Sequence, residues 1–277
     1  METIIDYFSH IPALHRALIL AGGIAFFWLL ESLRPLVRFD YQKWRHAGIN
    51  IFFTMTTIAV NFAMAFALLM TAEWVTENDF GVLNLLPMLD PWIVTLSGLL
   101  MLDFIGAYLA HLSEHKISLL WRFHLIHHTD TWIDTTSANR HHPGESIWRF
   151  IFTVAATFIV GAPMWMVFLY QSLSVVFSQF NHANIALPQK LDSALSWLLV
   201  TPDMHKVHHH YELPYTDSNY GNIFSIWDRL FGTFRKLERD KIVYGVDTHM
   251  AEAEHNRLGS LLRIPFWTPR HAGKKPI

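Results

Sequence analysis

The chain has 277 residues, 52% hydrophobic and 16% charged, with a net charge of −2 and no cysteine. That balance is too apolar for an ordinary soluble domain and offers no basic face to nucleic acid. The absence of cysteine excludes disulfides, thiolate metal sites, haem attachment through C-x-x-C-H and cysteine nucleophiles, so any metal must be held by nitrogen and oxygen.

Ala17 to Leu30 reads ALILAGGIAFFWLL without a charge, between Arg16 and Glu31. It predicts a first spanning helix, short unless its flanking residues reach the interface. The opening METIIDYF is acidic and lacks the basic start of a cleavable signal, so this helix is expected to stay. Ile49 to Ala72 is uncharged over 24 positions and predicts a second span. Trp92 to Leu112 carries one acid, Asp103, and predicts a third span ending at the first histidines. Phe150 to Phe180 is again uncharged but is interrupted by Gly161, Ala162 and Pro163. A breaker there predicts a re-entrant hairpin of two short helices that enters and leaves on one side. The expectation is a single all-α integral-membrane bundle over residues 1–277, with about four membrane segments and a histidine-rich cap.

Loop charge orients the bundle. The connection after the first helix holds Arg34, Arg38, Lys43 and Arg45, whereas the one after the second holds Glu73, Glu77 and Asp79 and no Lys or Arg. Basic loops stay in the cytoplasm. Counting crossings from there puts His111, His115 and the stretch from His205 to His210 on the cytoplasmic side.

The chain has 18 histidines, twelve of them between His111 and His210. His10, His15, His46, His249, His255 and His271 stand alone and are read as structural or surface residues. The clustered ones differ. FHLIHHTD contributes His124, His127 and His128, MHKVHHH contributes His205, His208 and His209, and HLSEH contributes His111 and His115. Residues at i, i+3 and i+4 lie on one helical face, so each H-x-x-H-H box can bring three ring nitrogens into one small volume. His210 extends the last box by one position, about 100° around a helix, and should point away. Neutral imidazole suits iron, copper, zinc and nickel, and eight such ligands exceed what one zinc takes. Two metals at the mouth of a membrane bundle can handle dioxygen, with a lipid entering sideways from the hydrocarbon. Two other classes compete: a zinc-dependent membrane hydrolase, for which Glu114 is in reach but the H-E-x-x-H order is missing, and a metal-ion transporter.

From Asp103 the residues DFIGAYLAHLSEH, LLWRFHLIHHTD, RHHPGE, FNHANI, PDMHKVHHH and NYGNIFSIWDRLFGTF occur in order, ending at Phe234. This core region, 103–234, resembles the fatty acid hydroxylase and sterol desaturase superfamily of integral-membrane di-iron enzymes. The resemblance implies a helical bundle with a cytosolic cap and two non-haem irons. It also implies dioxygen as co-substrate, an external electron donor such as cytochrome b5 or a ferredoxin, and hydroxylation or desaturation of a sterol, fatty acyl or related lipid. The ligands it implies are His111, His115, His124, His127, His128, His182, His205, His208 and His209. His182 comes from the N-H-x-N segment alone. Some members carry a further histidine a few residues later, where this chain has Ala186. Asp103, His142, Glu145, Asn219 and Asp228 are the candidates to orient the ligating rings through their second nitrogens. His141 and His142, in R-H-H-P-G-E, are read as supporting or structural. This hydropathy suits a bacterial inner membrane and the endoplasmic reticulum alike, and the terminal KKPI, which resembles a dilysine retrieval signal, does not decide between them.

Overall fold

The structure is a computed structural model that describes residues 1–87 and 89–267; His271 and the KKPI terminus lie outside the described residues. Helix α1 (Glu2–Ser9) precedes α2 (Ala13–Leu33) and the long α3 (Lys43–Glu77). Next comes α4 (Pro91–Asp103), started by Pro91 and by the Asp90 carboxylate, which accepts the Trp92 N–H. It runs through a π-helical turn, Phe104–Leu109, into α5 (Ala110–Lys116). A π turn takes one extra residue, which rotates the helix beyond it by about 100° relative to the helix before it. The apolar α4 therefore faces the bundle while α5 turns its histidines to the cap. Helix α6 (Ser118–His128) lies across the end of the bundle, and α7 (Pro143–Val160) and α8 (Met164–His182) return through it. The cap is completed by α9 (Gln189–Leu195), α10 (Pro202–His208), α11 (Ile226–Leu230), α12 (Glu252–His255) and α13 (Leu258–Arg263). Among the described residues there is no strand, only isolated bridges such as Pro35 with Ile185.

Among the described residues, three helical stretches are long and apolar enough to cross a membrane: α2, α3 with its continuation to Leu85, and the continuous α4 to α5 over Pro91–Lys116. The first is longer than its uncharged run, because Ala13 to Arg16 and Glu31 to Leu33 continue the helix beyond it. The hairpin breaks where Gly161, Ala162 and Pro163 predict, but its arms are not short. At 18 and 19 residues, each is about 27 Å long. Helix α7 begins before the uncharged stretch, since Pro143 and the His142 ring, whose Nδ1 accepts the Gly144 N–H at 3.0 Å, start it there.

The hairpin turn rests on the far end of α3, so its two arms reach as far along the bundle as that helix does. Gly161 (φ 75°) and Gly81 (φ 107°) meet backbone to backbone: a Cβ on Gly161 would lie 2.1 Å from the Phe80 carbonyl oxygen. Only glycine fits both the left-handed backbone and the approach. Around this contact Leu68, Leu102, Phe150, Val160, Met166, Val167 and Tyr170 form the bundle core. A separate cap core gathers Phe53, Leu125, Ile126, Val246, Leu261 and Ile264.

At the opposite end, buried polar pairs tie the bundle to the cap. His46 at the start of α3 reaches both carboxylate oxygens of Asp130 at 2.9 Å, and Asp134 at 3.3 Å. Arg140, 1% exposed, donates to the carbonyls of Ile126 and His255. His255 and His249 are buried in this cap, the latter stacked on Trp267.

Gly161→Ala is expected to lower unfolding stability in detergent by about 1–3 kcal/mol, through backbone overlap and strain. Gly22→Ala, in a helix and with nothing within 4 Å of the added methyl, should be neutral or slightly stabilising. Thermal melts of both variants check the contrast; equal midpoints would contradict the close contact.

Candidate metal centre

Four segments bring nine imidazoles to the cap end of the bundle. Helix α5 carries His111 and His115, α6 carries His124, His127 and His128, α8 ends on His182, and α10 with its capping residue carries His205, His208 and His209. The Thr201 hydroxyl caps α10 and Pro202 opens it, which sets the start of the last box. All nine side chains are buried; that of His115 is 1% exposed.

They form two groups, each with ligand atoms within 4.8 Å of one another: His111, His115, His124, His128 and His208 in one, His127, His182, His205 and His209 in the other. This departs from the expectation that a box of three serves one volume. In α6 the i and i+4 histidines join the first group and the i+3 histidine joins the second. In the last box the assignment is reversed, with His208 going to the first group and His205 and His209 to the second. Positions i+3 and i+4 straddle the helix face by about 100°, enough to address two centres. The two groups are thus interlocked, and each depends on both boxes.

The nitrogen chemistry fits a bound cation. The Nδ1–H of His111 donates to the Tyr220 carbonyl at 2.9 Å, and that of His124 to Glu145 Oε1 at 2.8 Å. In both neutral rings Nε2 therefore keeps its lone pair, yet the two Nε2 atoms lie 3.1 Å apart. The His208 Nδ1–H donates to the Ser218 carbonyl and that of His115 faces Asp217, while Nε2 of each is buried with no hydrogen-bond partner. Facing lone pairs repel unless a proton or a metal ion sits among them. Burial first, and neighbouring imidazoles second, push His124, His127, His128, His205 and His209 well below the ordinary histidine value, which opposes protonation. Residues of this type and spacing fit metal ions. In the second group, His182 Nε2 lies 3.1, 3.0 and 3.3 Å from Nε2 of His127, His205 and His209.

Of the five residues expected to support the rings, Glu145 touches one directly. Its Oε1 also receives His141 Nδ1 at 2.5 Å and Arg149 Nε at 3.0 Å, and Arg149 bridges on to Glu114 at 2.7 Å. The hydrogen bonds of the other four go elsewhere. His142 caps α7. Asp103 accepts the N–H groups of Ile223 and Phe224 and the Trp227 indole, pinning the 219–234 segment to α4 because a buried carboxylate needs such donors. Asp228 accepts the N–H groups of Tyr220 and Gly221, one step behind the carbonyl that receives His111. Asn219, left-handed at φ 53°, spans from the Met204 carbonyl to Arg235.

His210 lies in neither group, and its Nδ1 accepts the Val243 N–H. His141, read from the sequence as supporting or structural, stacks on His127 with ring centroids 4.8 Å apart. The His141, Glu145 and Arg149 repeat at i+4 was the legible signal. The carbonyls of Tyr220 and Ser218 left none, since a backbone acceptor has no residue type.

Because folding lowers these histidine pKa values, the unfolded chain binds more protons in acid. The metal-free protein should lose the stability contributed by these rings steadily as pH falls below about 6.5, as denaturant midpoints against pH will show. Glu145→Ala should weaken metal binding about 10- to 100-fold in a chelator competition, with the fold retained.

The family model described as fatty acid hydroxylase matches residues 95–233. The chain is 31% identical to alkylglycerol monooxygenase of Xenopus tropicalis over 62% of its length and 36% of the relative's. It is 28% identical to ornithine lipid hydroxylase OlsE of Rhizobium tropici over 51% of its length and 42% of the relative's. It is also 28% identical to a cholesterol 25-hydroxylase-like protein of Danio rerio, over 49% and 53%. The chain thus spans about a third to a half of these relatives. No solved structure matches.

Proposed function

Because this chain belongs to the fatty acid hydroxylase family, we propose that it is a membrane oxygenase that hydroxylates or desaturates a C–H position of a lipid. The observation that carries this reading is the pair of interlocked, buried groups of five and four imidazoles. We read all nine histidines as ligands of two non-haem irons, which supply dioxygen activation when bound. Hydroxylation balances as R–H + O2 + 2 electrons + 2 protons giving R–OH + H2O. In this reading the two electrons come from a donor such as cytochrome b5 or a ferredoxin.

The protein's own contribution is to hold and shield. Five of the nine rings are held from behind, His111, His182 and His208 by main-chain carbonyls, His115 by Asp217 and His124 by Glu145, and all nine are buried. No side chain is needed as a nucleophile. The related alkylglycerol, ornithine lipid and cholesterol enzymes support a membrane lipid as substrate, reached laterally. The basic loop from Arg34 to Arg45 supports a cytoplasmic placement of the cap, in a bacterial inner membrane or the endoplasmic reticulum.

A zinc hydrolase is the second reading, and the ligand count speaks against it: nine buried imidazoles exceed the three or four protein ligands that one zinc takes. A transporter would need polar groups along the spans, yet Asp103 is consumed by three donors.

Protein purified after growth with added iron should hold about two irons per chain, reduced in His127→Ala and in His208→Ala, and should place an atom of labelled dioxygen in its lipid product if it hydroxylates. Stoichiometric zinc together with turnover that needs neither dioxygen nor reductant would establish the hydrolase instead.

A further inference from the structure

The last histidine box contains a lysine that the metal reading leaves without a task. Lys206 is 0% exposed, although it lies between His205 and His208. Its ammonium donates to the carbonyls of Asn181 at 3.4 Å, Ala183 at 3.1 Å and His182 at shorter range. Among the described residues no carboxylate oxygen lies within ion-pairing distance of it. A buried ammonium held by carbonyls alone is costly to keep, and the carbonyls in question are those at the end of α8, which lack helical partners. A cation at a helix C-terminus satisfies both the orphan oxygens and the negative end of the helix dipole.

From the other side, the buried carboxylate of Glu31 accepts the Asn184 N–H at 2.9 Å and the Thr135 N–H at 2.7 Å. The four residues 181 to 184 are therefore bracketed by one buried cation and one buried anion. Within that bracket sits His182, whose Nε2 neighbours all three other members of the four-histidine group. The five-histidine group takes no residue from α8.

We propose that Lys206 is a positioning residue for the four-histidine group alone: by clamping the end of α8 it holds His182 against α6 and α10, and so sets how tightly that one site binds its metal. The assignment rests on the two-metal reading of the centre, and its test separates the two. Metal-free protein in detergent is titrated anaerobically with ferrous ion, and bound iron is counted after desalting. Wild type should take up two irons. Lys206→Met, of similar length but without donors, should weaken one uptake step at least about tenfold and leave about one tightly bound iron. The weakened step should be the one lost in His205→Ala, and the retained step the one lost in His115→Ala.

Lys206→Gln, which keeps an amide donor, should weaken that same step less, and it reads the effect if the methionine variant does not fold. His46→Ala, which removes an equally buried ion pair that touches no ligand, should keep both steps. The assignment is overturned if Lys206→Met binds both irons as wild type does, or if both steps weaken together while His46→Ala retains them. A wild-type chain that takes up no pair of irons overturns the two-metal reading itself and this assignment with it.

Discussion

Facing imidazole lone pairs are the constraint around which the cap is built. Where two buried Nε2 atoms approach to 3.1 Å and each ring has already given its proton away, the arrangement cannot be held by hydrogen bonding. Something must hold the rings in place against that repulsion until a cation settles among them. The scaffold does so from behind, with the Tyr220 and Ser218 carbonyls, Glu145 and Asp217 fixing the outward nitrogens. For these four rings the same fixing points select the tautomer that leaves Nε2 able to bind a metal.

The cost of that arrangement is spread through the cap. Carboxylates there are used chiefly as anchors for backbone N–H groups: Asp103 and Asp228 tie the 219–234 segment, whose Tyr220 carbonyl steadies His111, and Glu31 ties the chain after His182. Buried cations play the complementary part on carbonyls, Arg140 behind α6 and Lys206 behind α8. Each ligand-bearing helix is thus held by a group outside the ligand set. The bundle beneath needs only apolar packing and the backbone contact of Gly81 with Gly161, so its helices can face lipid while their ends meet in a polar, water-poor cap.

The interlocking of the two groups has a mechanical consequence. Because His208 serves one group and its neighbours His205 and His209 the other, a shift of α10 disturbs both, and so does a shift of α6. Helices α5 and α8 are the elements private to one group each. Differences between the two sites are therefore most readily made through those helices, α5 with its π turn on one side and α8 with its clamped end on the other.

The amino-acid sequence by itself determined the bundle and its histidine content. Runs without charge can only be buried in protein or lipid, the break at Gly161 to Pro163 can only be a turn, and two H-x-x-H-H boxes in a chain without cysteine point to nitrogen-ligated metal. Glu145 was legible because it is a carboxylate in R-H-H-P-G-E, close in the chain to the first H-x-x-H-H box. Tertiary structure alone decided which histidine goes with which. That partition depends on the crossing of α5, α6, α8 and α10, and helical spacing leaves i+3 and i+4 free to face one centre or two. It also decided the supports, because a carbonyl such as that of Tyr220 can come from any residue, and because Asp103, Asn219 and Asp228 look alike in sequence whether they hold a ring or a loop. The depth of the hairpin was likewise a packing outcome: Glu145 and Arg149 could enter α7 only because each found a buried partner across the helix interface.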